Sequence, residues 1–176
     1  WNFVGYRGLS SHGATVGIIL SIIIYKIKYK YESVLWIFDR LVIVVALGGM
    51  LVRIGNFFNS EIVGNYTNSN FGVIFLNRSE NLPRHPAQLY ESIGYLVLFI
   101  ILYRMYNKTK LSDKKGFFFG FFLIFLFGVR FIVEYVKESQ GGIENYLGLL
   151  STGQWLSIPF MLIGLILLIR SNSAKI

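Results

Sequence analysis

The chain has 176 residues, of which 54% are hydrophobic and 15% charged, with a formal charge of +8 and no cysteine. Soluble domains carry about 25% charged residues, and a mean hydropathy of +0.56 excludes an ordinary water-soluble enzyme, a disordered tail and a soluble nucleic-acid binder. The missing cysteines exclude a disulfide framework, a cysteine-based metal site and a cysteine nucleophile within these residues.

Five apolar segments follow in chain order, at about 13–25, 34–52, 88–106, 116–136 and 154–169. Crossing the hydrocarbon takes about 20 helical residues. The second, third and fourth segments reach that length, whereas the first and last need flanking residues or snorkelling lysines. Helix is the expected form because backbone polar groups in lipid must be satisfied within the segment. Runs such as Phe117–Phe127 lack the alternation of a barrel strand. The expectation is an all-α polytopic membrane protein with about five transmembrane helices, forming one membrane domain over 1–176. The chain opens on Trp1 with no basic leader and short apolar core, which reads as a chain lacking its N-terminal part. The longest loop, at about 53–87, is polar and rich in Asn and Gly, with a short strand expected at Phe71–Leu76.

Charge sets the expected orientation. Lys26, Lys28 and Lys30 follow the first segment, and Arg104, Lys108, Lys110, Lys114 and Lys115 lie between the third and fourth. With Arg170 and Lys175 in the tail, these regions hold ten of the 17 basic residues. The positive-inside rule puts them and the C-terminus in the cytoplasm, leaving the loops 53–87 and 137–153 facing outward.

Polar residues gather at the outward ends of the segments: Ser10, Ser11 and His12, then Arg53, Asn56, Asn59 and Glu61, then Arg84, His85, Gln88, Tyr90 and Glu91, then Arg130 and Glu134, and finally Gln154. Ionisable residues at membrane depth are costly and usually face protein or water. Arg53 and Arg130 end two different segments, and two guanidiniums converging at headgroup depth form a phosphate clamp. The blander reading is that each snorkels to the interface or meets a carboxylate, Arg130 with Glu134 four residues on. His12 and His85 are the only histidines, and histidine is the natural proton acceptor near neutral pH. No metal-ligand spacing and no nucleotide fingerprint is present, so neither a functional metal nor a nucleotide loop is expected. Tyr6, Tyr66, Tyr95 and Trp155 read as interfacial anchors.

Four stretches together resemble the bacterial prolipoprotein diacylglyceryl transferases. The run Arg53-Ile54-Gly55-Asn56-Phe57-Phe58-Asn59-Ser60-Glu61 with Gly64 is similar to the family signature. Ser11-His12-Gly13 resembles its His-Gly-Gly stretch, and Arg84 to Glu91 its Arg-His-Pro-x-Gln-Leu-Tyr-Glu stretch. Gly128-Val129-Arg130 to Glu134, with Gly153 to Ser157, resembles the closing region. Ala14, Ser60 and Asn65 depart from the pattern.

The resemblance implies a seven-span enzyme of the bacterial inner membrane, of which this chain is the last five spans, inactive as a fragment. Such enzymes move the diacylglyceryl group of phosphatidylglycerol to the lipobox cysteine of a prolipoprotein and release glycerol-1-phosphate. The implied partners are phosphatidylglycerol, lipobox peptides and membrane lipids, without nucleic acid or cofactor. His12, Arg53 and Arg130 match positions implied to be catalytic. Arg53, Asn56, Asn59, Glu61, Gly64, His85 and Glu134 are the substrate-binding expectations. The competing readings are a transporter subunit for an anionic lipid or solute, and a non-catalytic phospholipid-binding scaffold.

Overall fold

A computed structural model describes residues 11–29, 33–138 and 150–173, the side chains of 11–15 and 172–173 excepted. Five helices take up the five apolar segments: α1 (Ser11–Lys28), α2 (Val34–Phe58), α3 (Ala87–Lys108), α4 (Phe117–Val133) and α5 (Thr152–Ser173). Among the described residues four stretches are long and apolar enough to cross a membrane: Val34–Phe58, Ala87–Lys108, Phe117–Val136 and Thr152–Ser171. The chain is a multi-pass membrane protein. Most described α1 side chains are exposed apolar residues, and only Ile22 among them is buried.

Local chemistry sets the helix ends. Ser33 caps α2 by accepting the Trp36 N–H at 3.2 Å. Pro86 precedes α3, a position that requires no backbone donor. Thr109 closes α3, with its Oγ1 donating to Met105 O at 2.6 Å. Gly116 enters α4 at φ +87°, a conformation that favours glycine. The Asp39 carboxylate, buried on α2, accepts the Gly116 N–H at 2.6 Å and the Phe119 N–H at 2.8 Å, capping α4 from a neighbouring helix.

The core lies between α2, α3 and α4, where Val42 and Ala46 meet Leu98 and Leu102 and the α4 residues Phe118, Phe122 and Leu123. The helices α4 and α5 approach through Gly120 and Gly164. A Cβ on either would come within 3 Å of the other's carbonyl oxygen, a small-residue contact typical of membrane helices. Phe127 stacks on Phe160 at 4.4 Å in the same interface.

The strand expected at Phe71–Leu76 does not form. Among the described residues the loop between α2 and α3 holds only the single bridges Tyr66↔Arg84 and Val73↔Arg84, with Gly64↔Lys137 joining it to the segment after α4. Leu76–Arg78 is a 3-10 turn instead. Positive φ at Ser60, Ile62 and Ser79, with Pro83 and Pro86 nearby, bends the chain before a ladder can lengthen.

Candidate functional site

The last turns of α2, the first turns of α3 and the end of α4 bring the charged residues together. Arg53 Nε lies 2.5 Å from Glu91 Oε2 on α3. The other oxygen of Glu91 is 3.5 Å from Lys137 Nζ, and Lys137 is in turn 3.5 Å from Glu134 Oε2. The result is a chain of alternating charge, Arg53–Glu91–Lys137–Glu134, whose four side chains are all largely buried. Alternation is what permits that burial, because each ion faces an opposite one.

A second hydrogen-bonded line leaves Arg53 in the other direction. Its Nη1 donates to Asn56 Oδ1 at 3.3 Å, and Asn56 Nδ2 donates to Glu61 Oε2 at 2.8 Å. Gln88 Nε2 donates to Glu61 O at 2.6 Å, which ties the turn after α2 to the start of α3. The spacing of Arg53 and Asn56, one helical turn apart, is the sequence feature that makes the contact.

Arg130 projects from the last turn of α4. Its Nε is buried with no hydrogen-bond partner among the described residues, and its guanidinium lies 5.8 Å from the Phe127 ring. The ion pair of Glu134 is with Lys137, three residues on, and not the Arg130 pair that helical spacing offers. Tyr95 is buried on α3, hydrogen-bonded to Arg53 and within electrostatic reach of Glu91 and Arg130. Tyr95 is therefore no interfacial anchor; Gly49 of α2 faces its ring, where a Cβ would approach to 3.3 Å. Tyr66, by contrast, is exposed and covers the Arg84 guanidinium at 3.8 Å.

The remaining expected residues have other surroundings. Asn59 closes α2 through its backbone N–H to Gly55 O at 3.0 Å, and its side chain is exposed. Gly64 is a close-packing position: a Cβ there would meet His85 Cβ, His85 O and Val136 O, each at 2.6 Å. The His85 ring faces Tyr90, Nδ1 to hydroxyl 3.3 Å, and belongs to the loop framework and not to the charged chain. His12 is in the first turn of α1, and its side chain lies outside the described residues. Tyr6 lies wholly outside them.

Arg84 holds the framework. It is buried, donates from Nε to Glu80 Oε2, and donates from Nη1 to Gly64 O at 3.1 Å and Glu138 Oε1 at 3.2 Å. Its hydrogen bond holds the Glu80 carboxyl below the usual carboxylate range. Gln154, at the start of α5, donates from Nε2 to Phe131 O at 3.3 Å and fixes α5 against the end of α4. Gly153 beside it leaves room that Glu134 occupies, for a Cβ there would run into that carboxylate.

Sequence reading passed over Glu91, Lys137 and Tyr95 as site residues. Glu91 had a signal, since an acid one turn into an apolar helix needs a partner. Lys137 read as a loop charge because its burial follows from the 3-10 turn Glu134–Val136 that folds it back.

Comparison with known proteins adds the decisive observation. The sequence profile of the family described as prolipoprotein diacylglyceryl transferase matches residues 2–170. The chain belongs to that family. A relative in Tolumonas auensis, named phosphatidylglycerol–prolipoprotein diacylglyceryl transferase, is 45% identical over 96% of this chain and 64% of its own length. Relatives of the same name are 42% identical in Bacteroides fragilis, over 94% of the chain, and 39% identical in Chlamydia trachomatis, over 89%. These alignments cover 58% and 59% of the two relatives, so the chain spans about three fifths of the length of the curated relatives it matches.

Proposed function

We propose that the protein containing this chain transfers the diacylglyceryl group of phosphatidylglycerol to the lipobox cysteine thiol of prolipoproteins, as the names of its relatives describe for phosphatidylglycerol and prolipoprotein. A thiolate attacks the glyceryl carbon of the lipid and forms a C–S bond. The C–O bond to phosphate breaks, the oxygen takes the electron pair, and glycerol-1-phosphate leaves. The thiol proton passes to a base, for which His12 is our assignment, with His85 in reserve.

The observation that carries this reading is Arg130 Nε, a buried donor with no acceptor among the described residues, within electrostatic reach of the tyrosine that Arg53 also reaches. Two guanidiniums, Arg53 held by its partners and Arg130 with a free buried donor, offer positive charge to the departing phosphate. Glu91 and Asn56 hold Arg53 at Nε and Nη1, and Glu61 supports Asn56. Asn59, Gly64 and Glu134 complete our substrate-binding assignment, Gly64 and Glu134 through the packing that shapes the site. The nucleophile arrives with the substrate, so a cysteine-free chain suits the chemistry. By the positive-inside rule we assign the protein to the bacterial inner membrane, with the arginine end outward and the C-terminus in the cytoplasm.

The test is reconstitution of the full-length protein with phosphatidylglycerol and a lipobox peptide, read by mass spectrometry for a diacylglyceryl adduct on the peptide cysteine. Adduct formation that is lost in Arg53→Ala is the expected result. Transfer at an unchanged single-turnover rate in that variant refutes the clamp, and no adduct from a folded, lipid-bound protein refutes the transferase.

A further inference from the structure

The loop between α2 and α3 has two unlike faces. One is the polar clamp of Arg78, Glu80, Arg84 and Glu138. The other is apolar and open: Phe71 is 78% exposed, Leu76 77% and Ile74 48%. The twelve residues 66–77 contain no charged side chain, although the chain as a whole is basic. A contiguous exposed apolar surface of this kind marks a place where something other than water lies against the protein.

The helix beneath the loop tells what that something is. Val44, Gly48, Leu51, Gly55 and Phe58 are all exposed and recur at helical spacing along one face of α2. In a membrane-crossing helix that stripe meets lipid. Phe58 ends the stripe, and it lines a shallow groove of about 250 Å³ together with Phe57, Val73, Ile74, Phe75 and Leu76. Phe57 and Phe75 meet edge to face at 5.7 Å. The exposed stripe of α2 thus continues through Phe58 onto the apolar face of the loop.

We propose that the segment around Phe71–Leu76 seats in the headgroup–acyl boundary of the bilayer leaflet at the arginine end. It is an interfacial anchor built on a loop. An uncharged run with aromatic side chains enters that zone without desolvating an ion, and aromatic rings are favoured there. The polar clamp on its other face turns the backbone and the ion pairs toward the aqueous side. Since the same loop carries Gly64 and Glu61 into the site, its seating fixes Arg53 at the depth of lipid phosphates. The inference rests on the multi-pass fold and not on the transferase reading.

The test is depth measurement by nitroxide accessibility in the full-length protein, in phospholipid nanodiscs. Phe71→Cys and Leu76→Cys are labelled separately, there being no native cysteine in these 176 residues; any cysteine elsewhere in the full chain is first replaced. Val52→Cys on the exposed face of α2 calibrates the membrane, and Lys108→Cys at the end of α3 calibrates water. At 71 and 76, collision with dissolved oxygen is expected to exceed collision with a water-soluble nickel chelate several-fold, as at Val52. The Lys108 pattern at both positions overturns the proposal. So does exclusion of both reagents, which means that protein and not lipid covers this face. Two independent positions keep the outcome readable if one variant fails to fold, and neither measurement needs transfer activity.

Discussion

Glu91 is the residue on which the charged site turns. It is fully buried and is the common partner of Arg53 and Lys137. Changing it to Gln keeps the shape and removes the charge, so two buried cations lose their shared counter-ion. Among the described residues the Arg53 guanidinium then keeps the uncharged partners Asn56 and Tyr95, and no carboxylate. A misplacement on the order of 1 Å costs about 100-fold in rate. Glu91→Gln is therefore expected to lower kcat for transfer by about that factor, with a smaller change in KM for phosphatidylglycerol. Steady-state kinetics by mass spectrometry reads the split, and an unaltered kcat would remove Glu91 from the positioning role. Glu91→Ala is expected to be worse still and to lower yield, because it leaves both cations and a cavity. The sequence made the arginines visible, since a guanidinium at a span end is costly and conspicuous. It hid Tyr95, because an aromatic near a span end has an apolar role far more often than a hydrogen bond to a buried arginine. That distinction depends on the α2–α3–α4 packing and not on local pattern.

At the scale of elements, all five helices were legible because lipid demands long apolar runs and the lysines mark their ends. Their boundaries moved where capping outweighed hydropathy: α2 runs on to Phe58 through Arg53 and Asn56, since ionic partners on α3 make the polar turn affordable. The loop misled, because six apolar-rich residues carry a strand's composition without a neighbour able to extend the ladder beyond one bridge. Asp39 had no pattern to announce it. Its partners are backbone N–H groups 77 and 80 residues away. Replacing it with Ala leaves these donors unsatisfied at the start of α4, a loss of about 2 kcal/mol. Asp39→Ala is thus expected to lower the thermal midpoint in detergent, with Asp39→Asn in between and little change in kcat for the protein that remains folded. Equal midpoints for Asp39→Ala and the parent would show that the cap carries no stability.

For the whole molecule, the two ends of the bundle are built on different physics. At one end the Asp39 carboxylate, beside Arg40 in sequence, caps α4 through two backbone N–H groups. At the other, ion pairs hold together segments that share no helix packing. The loop after α2 is joined to the chain beyond α4 by Arg84 through Glu138, by Asn65 N to Val136 O at 2.8 Å, and by Glu138 N to Val63 O at 3.1 Å. Acid should act on this end selectively. Arg84 holds the Glu80 carboxyl below its ordinary value of 4.5, so the folded loop favours the charged form. Its stabilisation is complete above that ordinary value and is lost as pH falls through the lowered one. Hydrogen exchange, corrected for the intrinsic pH dependence of amides, should show the Val73 and Arg84 amides, which bond each other's carbonyls at 2.9 Å, opening over that acid range. The α3 amides around Leu98 and Leu102, in the helix core, should keep their protection throughout. Loop and core opening together would mean that the clamp is not a separate unit. Protection that holds far below the carboxylate range would mean that the apolar face, seated in lipid, holds the loop without its ion pairs.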